Sequence, residues 1–160
     1  MKTLGQLKNV KVEALMTRQM VTVMADDSVK DLAGTLLEHG LSTIPVVNSH
    51  GKCIGIISRK DLTELFLQED VELSRLLETD RLSLEWFNQL AETTEQRSVK
   101  ELMTDNVSVI NTQARLADVC REMVRNRVHH LPVVDDSDKV VGIVSSFDIV
   151  DAIANTNDED

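Results

Sequence analysis

At 160 residues, 42% hydrophobic and 28% charged, the chain has the profile of a soluble globular protein, long enough for one ordinary domain or two small ones. Its net charge of -10 argues against nonspecific nucleic-acid binding, and one Trp, three Phe and no Tyr leave few platforms for stacked bases. No apolar run approaches the roughly 18 residues that span a bilayer, the N-terminal MKTLGQLKNVKVEALM is too broken by polar residues for a signal peptide, and two isolated cysteines suit a reducing, cytoplasmic setting.

In chain order, VTV at residues 21–23 reads as a short β-branched strand. After Ser28, the residues Val29, Leu32, Leu36 and Leu37 recur at helical spacing, and Gly40 closes that helix. IPVV at 44–47 starts a strand, with Pro45 near its beginning, where proline is tolerated. The polar turn NSHGK then leads into CIGII at 53–57, apolar on both faces as a buried strand would be. A second helix follows through Leu62, Leu65 and Phe66. Residues 67–98 carry Leu73, Leu76, Leu77, Leu82, Trp86 and Leu90, which predict a helical connector. That stretch reads as a spacer folded on the core, or as a partner surface centred on Trp86 and Phe87.

From residue 99 the same order returns. VEALMT at 12–17 meets VKELMT at 99–104, STIPVV meets HHLPVV, and GIISRKD meets GIVSSFD, at an offset of 87 residues as between Gly55 and Gly142. Leu116, Val119, Met123 and Val124 repeat the first helix, with Asn126 in the closing position. At one place the match slips: MVTV best meets NVSV at an offset of 86, which pairs Thr22 with Ser108. The repeat predicts an α/β protein of two β-α-β-β-α units. Its segments are 1–66 with the N-terminal stretch, the connector 67–98, the second repeat 99–154, and an acidic tail 155–160.

Ser58 with Asp61, and Ser145 with Asp148, stand where a strand passes into a helix. Serine at a helix N-cap with an acid three residues on is a capping box. The same geometry suits a ligand: a helix N-terminus presents N–H groups to phosphate, and a carboxylate accepts the hydroxyl protons of a ribose. The motif alone does not separate the two. His129 and His130 are adjacent, so in a strand they face opposite ways and do not share a metal; no metal site is expected. Cys53 and Cys120 read as small core residues. No nucleophile–base pair is legible, so no catalytic residue is assigned.

The order L-M-T, V-[TS]-V, h-P-V-V, G-I-h-S-x-x-D, written twice, resembles the CBS domain, and the pair resembles a CBS tandem or Bateman module, over about 105 of the 160 residues. The resemblance implies two units joined through their sheets as a pseudo-twofold tandem, with adenosine ligands in clefts between repeats. It implies that Asp61 and Asp148 hold ribose and that Ser58 and Ser145 lie near phosphate. Thr43, Ile44 and Pro45, with His130, Leu131 and Pro132, would line the clefts, and Thr22 and Ser108 would contribute from the first strands. The expected function is adenosine-nucleotide sensing by a non-enzymatic regulatory module with no required cofactor. Its ligand would be AMP, ADP, ATP or an S-adenosyl compound, and its setting a cytoplasmic homodimer acting on an unknown effector protein. The alternative is a structural or interaction dimer with no ligand, its Ser-x-x-Asp phrases serving only as caps.

Overall fold

The computed structural model describes residues 4–69 and 97–155; the predicted connector beyond Glu69, with Trp86 and Phe87, and the acidic tail beyond Asn155 lie outside them. The elements run α1 (Leu4–Leu7), a short 3-10 turn (Val12–Ala14), β1 (Val23–Met24), α2 (Val29–Glu38), β2 (Thr43–Val47), β3 (Cys53–Ser58) and α3 (Arg59–Glu69). After the connector come α4 (Val99–Leu102), β4 (Thr104–Asp105), β5 (Ile110–Asn111), α5 (Leu116–Asn126), β6 (His130–Val134), β7 (Val140–Ser145) and α6 (Ser146–Ala154). Each repeat thus forms the expected strand, helix, strand, strand, helix.

The compact units do not follow the repeat boundaries. Among the described residues, one unit takes 21–49, 54–69 and 97–106; the other takes 4–20, 50–53 and 107–155. Each unit therefore contains the L-M-T segment that precedes the other repeat in sequence. The reason is a close fit at a glycine. A Cβ on Gly55 would lie 2.8 Å from the Met103 sulfur and 2.9 Å from the Thr104 carbonyl oxygen. One on Gly142 would lie 2.6 Å from the Met16 sulfur and 3.0 Å from the Thr17 oxygen. Real Cβ atoms do not approach so closely, so only glycine admits these segments.

In the first-repeat unit the sheet order is β1-β2-β3-β4, with β1 parallel to β2 and β3 antiparallel to β4. In the second-repeat unit it is β5-β6-β7, and Thr17 bridges Ile143 on β7 as Thr104 pairs with Ile56 on β3. Thr17 N–H donates to the Ile143 carbonyl at 2.9 Å, and Ile143 N–H returns a bond at 3.0 Å.

α2 follows from its sequence. Ser28 Oγ accepts the Asp31 N–H at 3.0 Å, and Val29, Leu32, Ala33 and Leu36 turn one face to the core. The chain leaves α2 through Gly40 at φ +62°, a left-handed turn that glycine adopts without steric cost. The second repeat makes that turn one residue later than expected. Asn126 is still helical, and Arg127 takes φ +54°. Arg127 stands at the Gly40 position, because the start of the next strand dictates where the chain must reverse. Each unit has its own core. One is built on Leu32, Leu36, Ile44, Ile57 and Leu62, the other on Val119, Met123, Leu131, Val144 and Ile149.

The strand registers remove the one-residue slip. β1 pairs Val23 with Val46, and β5 pairs Ile110 with Val133, so the offset is 87 here as elsewhere. Thr22 therefore corresponds to Val109, and Ser108 to Val21. The VTV/VSV likeness suggested otherwise, but the register is set by backbone pairing to the buried neighbouring strand.

Candidate functional site

Both strand-to-helix turns close as capping boxes. In the first repeat, Ser58 donates to Asp61 Oδ2 from its N–H at 2.7 Å and from its hydroxyl at 2.6 Å, while Asp61 N–H reaches Ser58 Oγ at 3.4 Å. In the second, the corresponding distances for Ser145 and Asp148 are 2.6, 2.7 and 3.2 Å. All four residues are half-buried. The bonds donated to each carboxylate converge on Oδ2, so one edge of the acid is tied to the cap and its position is fixed. A negative group so placed is also favoured by the N-terminal partial charge of the helix.

A further pair of bonds brings the h-P segments to these caps. Arg59 N–H, the first of α3, donates to the Ser42 carbonyl at 3.0 Å, and Ser146 N–H, the first of α6, donates to the His129 carbonyl at 2.9 Å. Thr43 and His130 thus enter their strands beside the helix starts, and His130 stands directly across from Ser145 in the β6–β7 register. No motif in the sequence points to these backbone bonds, since any residue supplies a carbonyl.

The structure brings together Thr43, Ser58 and Asp61 in one unit, and His130, Ser145 and Asp148 in the other. Ile44 and Leu131 are 0% and 1% exposed, and Pro45 and Pro132 are also buried. Ile44 and Leu131 belong to the cores of their units. Thr22 is exposed just before β1. Ser108 is drawn elsewhere: its hydroxyl accepts from Asn126 Nδ2 at 3.0 Å, and its bond to Glu122 is the main cause that holds that carboxyl below its usual range.

The charge around the two caps differs. Arg59 and Lys60 follow Ser58 and are exposed, with Lys60 Nζ 3.3 Å from Glu64 Oε1. The second repeat has Ser146 and Phe147 there, and supplies Arg127 and His129 instead, both exposed. Half-buried His130 is held below its ordinary pKa, first by burial and then by the charge of His129, with Asp148 pulling the other way. It is therefore a neutral hydrogen-bonding group near neutral pH.

Among the described residues, no group of three His, Cys, Asp or Glu is arranged to hold a metal, and no helix is long and apolar enough to cross a membrane. Cys53 and Cys120 are half-buried, and burial pushes the Cys120 thiol up, away from the reactive thiolate.

Two strand-to-helix caps on twin β-α-β-β-α units define a tandem α/β-domain protein. The chain belongs to the CBS domain family: the family model matches residues 12–68 and again 99–155. It is similar to the uncharacterized protein MJ1426 of Methanocaldococcus jannaschii, 26% identical over 96% of this chain and 99% of that one. It spans 43% of another M. jannaschii relative and 25% of that organism's L-aspartate semialdehyde sulfurtransferase. Among solved structures, the CBS domain pair of protein MJ0100, in complex with 5-methylthioadenosine and S-adenosyl-L-methionine, matches with a TM-score of 0.68 at 25% identity, over 89% of this chain and 98% of that one. CBSX2 of Arabidopsis thaliana, in complex with AMP, also matches with a TM-score of 0.68 at 25% identity, over 90% and 96%.

Proposed function

We propose that the chain is a regulatory module, not an enzyme, that senses an adenosine-containing ligand through the paired caps. Asp61 and Asp148 take the ribose hydroxyls, Ser58 and Ser145 lie near phosphate, and the helix N-termini add their N–H dipoles. The carrying observation is that both repeats hold a carboxylate by one oxygen at the same strand-to-helix turn, with the entrance of the h-P strand bonded beside it. The adenosine ligands of the MJ0100 CBS pair and of CBSX2 support the same class. AMP, ADP, ATP and S-adenosyl compounds are the candidates. No cofactor is required in this reading. Binding shifts the population of conformations, which an effector protein reads in the cytoplasm, and the working form is a homodimer.

Calorimetric titration of AMP, ADP, ATP, S-adenosylmethionine and 5-methylthioadenosine tests the reading. Saturable binding of at least one is the expected result, and heat changes no larger than dilution for all five would overturn it. One observation favours a second reading, an interaction module without ligand: the bonds made by Asp61 and Asp148 already complete ordinary helix caps. The same titration separates the two.

A further inference from the structure

His130 is the one titratable side chain of β6, and it stands across from Ser145 in the β6–β7 register. Directly opposed residues of an antiparallel pair turn their side chains to the same face, with Cβ atoms about 4.5–5.5 Å apart. The imidazole therefore shares a face with the Ser145 hydroxyl, whose own bond goes to Asp148 Oδ2 at 2.7 Å. The flanking strands β5 and β7 carry no titratable side chain. Burial of the ring is the first influence against a proton, and neighbouring His129 adds to it, while Asp148 on α6 favours one. The remaining charges near this end of the unit are solvated or engaged. Arg125 on α5, Arg127 after it and Asp151 on α6 are exposed. Glu122 of α5 accepts from Asn126 at 2.7 Å, and exposed Arg18 of the N-terminal segment donates to the Glu13 carbonyl at 3.0 Å. A phosphate brought beside Ser145 would add up to two negative charges at the ring, which reverses the balance in favour of a proton.

We propose that His130 selects among adenosine ligands at the second cap by taking up a proton: a phosphate-bearing ligand is held by the imidazolium, and a phosphate-free adenosyl group by the neutral ring. The imidazolium donates from both ring nitrogens, whereas the neutral ring has one donor and one acceptor. The charged ring makes a charge-assisted bond to a phosphate oxygen. The neutral ring meets an uncharged ligand without burying a charge that nothing compensates. Because the proton comes from solvent, the preference of this cap for the phosphorylated ligand grows as pH falls.

The first cap does not share the device. Thr43 stands where the second repeat has His130, and its cations are Arg59 and Lys60, which stay charged throughout the neutral range. The first cap thus reads a nucleotide irrespective of pH near neutrality, and the second reads it together with a proton. This inference rests on the function proposed above and assigns the selectivity of its second site.

Calorimetric titration of AMP and of 5-methylthioadenosine into the full chain at about pH 7, in two buffers of unlike ionisation enthalpy, counts the protons taken up on binding. At that pH a phosphate monoester is mostly the dianion, so uptake belongs to the protein. The wild type should take up a substantial fraction of a proton with AMP and none with 5-methylthioadenosine. His130→Gln and His130→Thr should lose the uptake, and His129→Gln should keep it. His130→Thr carries the residue that the first repeat has at this strand start, and saturable binding of 5-methylthioadenosine by either His130 variant reports an intact site. Between about pH 8 and about pH 6.5, the ratio of AMP to 5-methylthioadenosine affinity should rise at least about threefold more in the wild type than in either His130 variant. Uptake that persists in either His130 variant, or disappears in His129→Gln, overturns the assignment while sparing the adenosine site. Loss of 5-methylthioadenosine binding in both His130 variants overturns it as well, since His130 would then hold every ligand alike. Heats no larger than dilution for both ligands overturn this inference; the proposed function falls with it only if ADP, ATP and S-adenosylmethionine are silent too.

Discussion

The two repeats share a scaffold to within a few tenths of an ångström in their cap bonds, yet they differ in what surrounds the caps. At corresponding positions the first carries Gly40, Thr43, Arg59 and Lys60, and the second Arg127, His130, Ser146 and Phe147. The backbone devices are duplicated: the serine cap, the acid tied through Oδ2, the helix N–H returned to the residue before the strand, and the glycine that admits a Met-Thr segment. The charges are not duplicated. A common fold constrains the positions that close backbone hydrogen bonds or fill the core, and leaves the rim of each cap to diverge. The first cap has cations on its helix, which on the proposed function would suit a more highly charged ligand. The second has a neutral imidazole beside its acid, which on the same proposal would suit a monophosphate or an uncharged adenosyl group.

Core substitutions at matched positions should break the likeness most strongly. Leu36→Ala and Met123→Ala remove side chains that are 1% and 6% exposed, and each should cost roughly 2–5 kcal/mol in urea unfolding, with the better sealed Leu36 the costlier. Equal or reversed costs would show that the two cores are not sealed as described. Gly55→Ala and Gly142→Ala push a methyl into a methionine sulfur and a carbonyl oxygen, and should each cost roughly 1–3 kcal/mol. Met103→Ala should relieve part of the first penalty and Met16→Ala part of the second, a coupling that double-mutant cycles would read directly.

Smaller effects sharpen the comparison at the caps. Removing the cap serines, Ser58→Ala and Ser145→Ala, should each lower stability by roughly 0.5–2 kcal/mol, with similar values because the geometry is shared. One pH effect should arise at His130 of the second repeat and have no counterpart at Thr43 of the first. His130 has its folded pKa depressed below 6.5, so the unfolded chain binds its proton more readily as pH falls through that value. The stability conferred by neutral His130 is present above that range and lost below it. His130→Gln should flatten the stability profile of the wild type below about pH 6.5, whereas Thr43→Ser should leave its slope unchanged.

Much of this was legible from the sequence. The helices announced themselves through Ser28 and the spacing Val29, Leu32, Leu36, and the caps through Ser-x-x-Asp, because these are local features whose partners lie within a turn. Three things were not. The L-M-T segments pack on the other repeat's glycine, a tertiary pairing that no local pattern records; the repeated G-I was visible, but not what pressed against it. The first-strand equivalence went to Ser108 because Ser resembles Thr, whereas register is a property of backbone pairing. Val124 falls in the periodic apolar pattern of its helix, yet it is the most exposed of the large hydrophobics described, because apolar character shows what a residue gains by burial and not whether its own unit provides it.

The most direct measurement is calorimetric titration of AMP into the wild type, Asp61→Ala and Asp148→Ala, with a melting curve for each. If the twin acids hold ribose, losing a pair of charge-assisted hydrogen bonds should weaken binding at the altered site by about 10- to 150-fold, roughly 1.5–3 kcal/mol. Affinity unchanged in both variants, alongside melting temperatures lowered as for a lost helix cap, would contradict the ribose assignment.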